Sequence, residues 1–297
     1  MNRTAIGPYQ VVRLLGRGGM AEVHLAISHG ASGFEREVAI KTVALSPGLA
    51  DSELERALIR EAVIGGALRH ANLVGVLGLG VADGGYYVVL EYVDRGDLAR
   101  HLNGPVPEAL ALYLVHEVAA GLAHLHAAVD KRGLPLAIVH RDVGPANVLV
   151  SSTGDVKLAD FGIAKATALA DRTAAGTRKG RYSYMAPEQL AGEPVTAAAD
   201  QFGLGVMLVE LISGRRPFAG ETPWAVLEAI RAGAPHLPEL APDVRALALK
   251  ALAVDPHDRF VSVEQLRATV ATFLRTREPA GRLELAGWLA RRIPGDG

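Results

Sequence analysis

Near residue 95 the hydrophobic pattern of the chain changes period, and that change limits its possible folds more than any other feature. Before it stand short segments rich in Val, Ile and Tyr, separated by Gly and polar turns: YQVVRLLG from Tyr9, AEVHLAIS from Ala21, EREVAIKTVAL from Glu35, LVGVLGLGVAD from Leu73 and GYYVVLEYV from Gly85. One stretch at helical intervals interrupts them, SELERALIREAVIGGALRH, with Leu54, Leu58, Val63 and Leu68 as its apolar stripe. After residue 96 the reading is mainly helical. PEALALYLVHEVAAGLAHLHAA is a long apolar helix, and AADQFGLGVMLVELISG is apolar nearly all round, which places it inside a helical domain. In TPWAVLEAIRAG, Thr222 stands as N-cap with Pro223 at the first helical position. The pattern predicts an α+β chain of two lobes. A β-rich lobe with one helix is followed by a larger helical part, joined through DRGD, Asp94 to Asp97. A cleft between such lobes is where ligands commonly bind.

Composition narrows the function classes. With 297 residues, 49% hydrophobic and 21% charged, the chain reads as an ordinary globular protein. A formal net charge of −1 gives no global basic field for nucleic acid or an acidic membrane. Cysteine is absent, which excludes disulfides, thiolate zinc sites and thiol catalysis, and fits a reducing cytoplasm. MNRTAIGPYQ lacks the apolar core of a secretion signal. The longest apolar run, Phe202 to Ile212, is about half the ~20 residues of a membrane span. The expectation is a soluble, cytoplasmic chain with no membrane span.

Several motifs bear on chemistry. In LGRGGMAEVHLA, Gly16, Gly18 and Gly19 lie between two predicted strands and let backbone N–H groups approach a polyphosphate, or form a plain glycine-rich hairpin turn. A dinucleotide fold is disfavoured, because a strand and not a helix follows this loop. In VAIK, Lys41 shares a strand face with the small Ala39, opposite Val38 and Ile40, which suits a ligand cleft better than a core. Further on come IVHRDVGPANVLV, KLADFGIAK and MAPE (Met185 to Glu188).

In this order, the motifs resemble those of the bacterial, eukaryotic-like serine/threonine protein kinases. The match covers about Tyr9 to Leu274, with a small lobe to about residue 93, a large lobe over about 97–274 and a helical tail over 275–297. The resemblance implies the bilobal kinase fold, with a small antiparallel sheet and one helix in the first lobe and a mainly helical second lobe, together with ATP, Mg²⁺ (or Mn²⁺) and protein acceptors bearing Ser or Thr. It implies that Lys41 grips the α- and β-phosphates and pairs with Glu61, and that Asp142 accepts the proton of the acceptor hydroxyl. Asn147 and Asp160 become the metal ligands, with Phe161 packed beside the Glu61 helix. Leu15, Gly16, Arg17, Gly18, Gly19, Met20 and Ala21 become the loop over the nucleotide. Val23, Ala39 and Leu149 enclose the adenine, Leu90 is the gatekeeper, and the Glu91 and Val93 backbones hydrogen-bond the base. Asp200 braces the catalytic loop, and Arg259 pairs with Glu188.

The chain departs from the family pattern in three places. Ala21 stands at the third glycine of the loop. Gly144 replaces the lysine that contacts the γ-phosphate, and Arg181, in GRYSY, replaces the threonine beside it. One expectation is that Arg181 supplies the missing positive charge, since a guanidinium suits phosphate oxygens; the other is a solvated loop arginine. Arg141 before Asp142 implies an activation segment ordered by phosphorylation, with Thr173 or Thr177 as the modified residue. The alternative function is a nucleotide-binding pseudokinase acting as a scaffold. A small-molecule phosphotransferase fits poorly beside GRYSYMAPEQL, and tyrosine specificity is disfavoured because no basic residue stands between Asp142 and Asn147. His124 and His126 read as neutral packing on a buried helix and not as a metal pair. In the tail, Leu285, Trp288 and Leu289 form one stripe that packs on the large lobe or serves self-association as a homodimer.

Overall fold

Tyr92 and Val93 divide the chain into two units, with Phe161 counted in the first. The computed structural model describes residues 4–17, 21–43, 51–161, 181–218, 220, 222–233, 235–237 and 240–292. The first unit is a six-stranded antiparallel sheet built from β1 (Ala5–Ile6), β2 (Tyr9–Arg17), β3 (Ala21–His29), β4 (Glu35–Val43), β5 (Val76–Ala82) and β6 (Gly85–Glu91). Its order is β1-β2-β3-β4-β6-β5. One face buries Ile6, Ala26, Val38, Ile40, Tyr87 and Val89 in a common apolar cluster. On another part of the sheet, helix α1 (Asp51–Ala67) packs Leu58 and Ala62 against Val88.

In α1 the apolar stripe differs from expectation. Leu58 and Leu68 are buried, yet Val63 is 64% exposed and Ala62 is buried in its place. The helical repeat explains this, because position 62 lies one turn from 58 while 63 has rotated away to the solvent side.

The second unit is helical: α2 (Glu108–His126), α3 (Pro187–Ala191), α4 (Ala198–Ser213), α5 (Pro223–Arg231), α6 (Pro242–Ala251), α7 (Val263–Leu274) and α8 (Arg282–Ala290). Twelve of the sixteen residues of α4 are buried, as its all-round apolarity requires. It packs against α2 and α6, and α7 covers α2. The Thr222 side chain caps α5 by accepting from the Ala225 N–H at 3.1 Å, and Ser262 does the same for α7. By length and composition α2 could cross a membrane, yet 61% of its apolar window is buried inside the protein. A two-stranded ribbon, β7 (Val148–Val150) with β8 (Val156–Leu158), completes the unit.

Candidate active site

In the first unit, strand register decides which side chains meet. Val23 pairs with Lys41, which pairs with Val88; Leu25 pairs with Ala39, which pairs with Leu90. Residues directly opposite in an antiparallel pair share a face, so Val23, Ala39, Lys41 and Leu90 lie together, opposite the buried Val38 and Ile40. Lys41 Nζ donates to both carboxylate oxygens of Glu61 on α1, at 3.0 and 3.2 Å. Both side chains are largely withdrawn from water, at 13% and 17% exposure, so this pair is more than a solvated surface contact. Gly65, one turn further along α1, has to be bare, because a Cβ there would lie 2.7 Å from Val76 and 3.2 Å from the Phe161 ring. Phe161 is buried beside the Glu61 helix.

Leu15, Gly16 and Arg17 end β2, and Arg17 reaches across the hairpin to Glu22 at 2.8 Å. A Cβ on Gly16 would meet no atom within 4 Å, so packing does not demand its bareness. Ala21 opens β3. Gly18, Gly19 and Met20 lie outside the described residues. Glu91 donates its N–H to the Gly75 carbonyl at 2.8 Å, while its carboxylate accepts from the Gly75 N–H at 3.1 Å. Its backbone N–H is therefore committed within the unit.

In the second unit, the catalytic-loop stretch hangs from one buried carboxylate. Asp200 on α4 accepts from the backbone N–H groups of His140 at 2.9 Å and Arg141 at 2.7 Å, and its Oδ2 also meets His126 Nε2 at 2.7 Å. Asp200 is 1% exposed; three partners make a buried carboxylate tolerable. Fully buried His140 places Nε2 2.9 Å from the Ala159 carbonyl. A carbonyl only accepts, so Nε2 carries the proton and Nδ1 accepts the Asp142 N–H at 3.3 Å. Asn147 Nδ2 donates to the Asp142 carbonyl at 2.6 Å, and the Asn147 carbonyl accepts from Ala159 N–H at 2.9 Å. One network thus fixes Asp142, Asn147 and the residue before Asp160. It also holds two strained positions: Arg141 at φ 64 and Asp160 at φ 58 are left-handed without being glycine. Such conformations cost about 1–3 kcal/mol each and persist where surrounding structure over-determines them, as at functional sites. Leu149 is the central residue of β7.

Gly144 is extended, with φ 175, so its backbone does not require glycine. Its surroundings leave little room: a Cβ would lie 3.3 Å from the ring of Tyr184. Tyr184 is held there by a hydrogen bond from its hydroxyl to the Glu210 carboxylate, which Arg216 also meets at 3.2 Å. Burial first, then the Glu210 charge, pushes the Tyr184 phenol above its usual range. The space beside Gly144 is thus walled on one side by an aromatic ring. Arg181 opens the short 3-10 turn Arg181–Tyr184, but its side chain lies outside the described residues, as do Thr173 and Thr177. Near α3, Glu188 and Arg259 form a bidentate pair at 2.7 and 2.8 Å. The remaining guanidinium donors go to the carbonyls of Ala253, Ala198 and Val254, so all five are used.

Two participants escaped the sequence. His126 does more than pack, since it bonds Asp200. Gln189 Nε2 donates to the Arg141 carbonyl at 2.9 Å. No local pattern marks either, because their partners lie 74 and 48 residues away. Among the described residues there is no group of three or more His, Cys, Asp or Glu side chains able to hold a metal.

Residues 9–270 match the protein kinase domain family. The chain belongs to that family. This kinase domain is 41% identical over 280 residues to the tyrosine-protein kinase MasK of Myxococcus xanthus, covering 90% of this chain and 43% of MasK. It is 36% identical over 273 residues to the serine/threonine-protein kinase PrkC of Bacillus subtilis, covering 90% and 40%. It is 36% identical over 275 residues to the serine/threonine-protein kinase PknB of Mycobacterium leprae, covering 88% and 42%. The chain thus spans about two fifths of the length of these curated relatives.

Proposed function

We propose that this chain is a working ATP-dependent protein kinase that transfers the γ-phosphate to Ser and Thr hydroxyls of proteins, itself included, with its kinase domain over 9–274. The observation that carries the reading is the network through His140, Asp142, Asn147 and Asp200, in which both backbone strain and buried polar groups serve one loop. Asp142 orients the acceptor hydroxyl and takes its proton. Lys41, aligned by Glu61, takes the α- and β-phosphate oxygens. Val23 and Ala39, on the same sheet face as Lys41, pack against the adenine.

The donor set fits Mg²⁺, or Mn²⁺ in its place. Asn147 spends its amide N–H on the Asp142 carbonyl, which turns its amide oxygen toward other work. With the Asp160 carboxylate it offers two hard oxygen donors, and phosphates and water complete such a shell. Bound Mg²⁺ neutralises charge on the phosphates.

Hydroxyl specificity rests on VGPA between Asp142 and Asn147, which lacks a basic residue, and on the names of the PrkC and PknB relatives. The name of MasK points to tyrosine. Acid hydrolysis of protein labelled from γ-labelled ATP is expected to yield phosphoserine and phosphothreonine. Phosphotyrosine as the main product would overturn the specificity, and the label should vanish when EDTA removes Mg²⁺.

We also propose that Arg181 supplies the charge missing at Gly144. Arg181→Ala is expected to slow transfer about tenfold, the worth of one hydrogen bond to a charged group. A loss no greater than that of a distant exposed arginine, such as Arg245→Ala, would sink this assignment. Thr173 or Thr177 is the proposed phosphorylated residue of the activation segment, and Arg141 its partner. The cysteine-free composition supports a cytoplasmic setting for the reaction.

A further inference from the structure

Helix α8 lies beyond the residues that match the kinase family, and polar contacts at its two ends reach two places. At its start, Arg282 reaches Asp155 in the β7–β8 turn at 2.8 Å. The turn comes so close that a Cβ on Gly154 would lie 2.0 Å from the Arg282 carbonyl oxygen. Asp155 also organises that turn, accepting from the Ser151 hydroxyl at 2.8 Å and the Thr153 hydroxyl at 2.7 Å. Past its other end, Arg292 stacks over Trp288 at 4.2 Å and donates to the carbonyls of His101 and Pro105 and to the Asn103 side chain. Between these anchors Leu285, Trp288 and Leu289 are buried.

Both anchored places hold the linker. Ser152 donates its N–H to the Asp94 carboxylate at 2.9 Å. Arg95 N–H bonds the Val150 carbonyl at 3.2 Å, and Val150 N–H bonds the Gly96 carbonyl at 2.9 Å. From the other side, His101 Nε2 meets the Arg95 carbonyl at 3.0 Å, and His101 is 1% exposed. The linker Asp94–Gly96 is therefore gripped by the β7–β8 ribbon and by the 3-10 turn Leu98–His101. The same ribbon carries Leu149, follows Asn147 directly and leads into Asp160.

We propose that α8 is a positioning brace for the nucleotide site. By tying the ribbon turn and the His101–Pro105 segment to one helix, it fixes the linker after Val93 and the strand bearing Leu149. The brace touches no nucleotide; it acts through the linker and the ribbon. This inference rests on the kinase reading and deepens it: the tail tunes affinity for ATP while leaving the transfer chemistry alone.

The test is nucleotide affinity in the full chain, measured by calorimetry with a non-hydrolysable ATP analogue and Mg²⁺, alongside melting temperature and steady-state transfer. Arg282 is exposed and Arg292, past the end of α8, is half-buried, so the double variant Arg282→Ala/Arg292→Ala is expected to fold. Its Kd for the analogue and its KM for ATP are expected to rise about fivefold, in the range of modulations by residues that contact no ligand, with kcat little changed. Arg245→Ala on α6 serves as control and leaves affinity as it was. Arg282→Lys, which keeps a positive charge facing Asp155, is expected to bind the analogue within twofold of the parent. A lowered melting temperature with Kd within twofold of the parent would reduce α8 to plain packing and overturn the proposal. A parent chain that binds no nucleotide would instead overturn the functional reading itself, and the brace with it.

Discussion

Arg259→Ala is expected to destabilise the chain by about 3–5 kcal/mol, the cost of leaving a buried charge without its partner. Glu188 is 5% exposed and Arg259 3%, so water cannot replace what is lost. The five bonds from the guanidinium also hold three carbonyls, and removing it strands all of them together with the carboxylate. At this chain size the melting temperature should fall by about 10 °C. Arg259→Lys should recover little, because an ammonium cannot match the planar fork. Glu188→Leu combined with Arg259→Met should be less harmful than Arg259→Ala, since it removes both buried charges at once. A loss below about 1 kcal/mol for Arg259→Ala, the range of an exposed pair, would show that the pair is not buried as described.

Asp142→Asn is expected to slow phosphate transfer about 10²–10⁴-fold, the range of a lost general base. The substitution changes charge and proton affinity while keeping shape. The backbone of residue 142 is placed by the His140 ring and by the Asn147 amide, and neither contact uses the Asp142 side chain. Melting temperature and ATP affinity should therefore stay near those of the parent, which separates this variant from Asn147→Ala. That second change breaks the loop network together with the proposed cation site, so both affinity and rate should suffer. An Asp142→Asn chain that keeps more than about a tenth of the parent rate would remove Asp142 from its role.

Much of the fold was legible because period is a local property. Alternation in VAIK assigned Val38 and Ile40 to one side and Ala39 with Lys41 to the other, and strand pairing bears this out. The all-round apolarity of α4 announced its burial. What escaped is non-local or too short to carry a pattern. Strands β7 and β8 have three residues each, fewer than an alternation needs. Val63 was misplaced because near-helical spacing leaves its angle loose, and the rotation from Leu58 turned it outward. Asp200 and His126 lie on different helices, and nothing near either residue announces the bond between them. The Lys41–Glu61 pair was readable only through the resemblance, since a glutamate on a helix otherwise reads as surface. The Tyr184 ring beside Gly144 could not be foreseen, because a missing side chain does not say what takes its place.

The most direct test of the central claim, that the chain transfers phosphate despite Gly144, follows γ-labelled ATP with Mg²⁺. Transfer is measured to the chain itself and to a generic basic protein, beside Asp142→Asn and with ATP binding measured in parallel. Label in the parent that vanishes in Asp142→Asn is the predicted result, and it makes Gly144 a tolerated variation. Clear ATP binding by the parent with no label above the variant would contradict the account and return the chain to a nucleotide-binding scaffold.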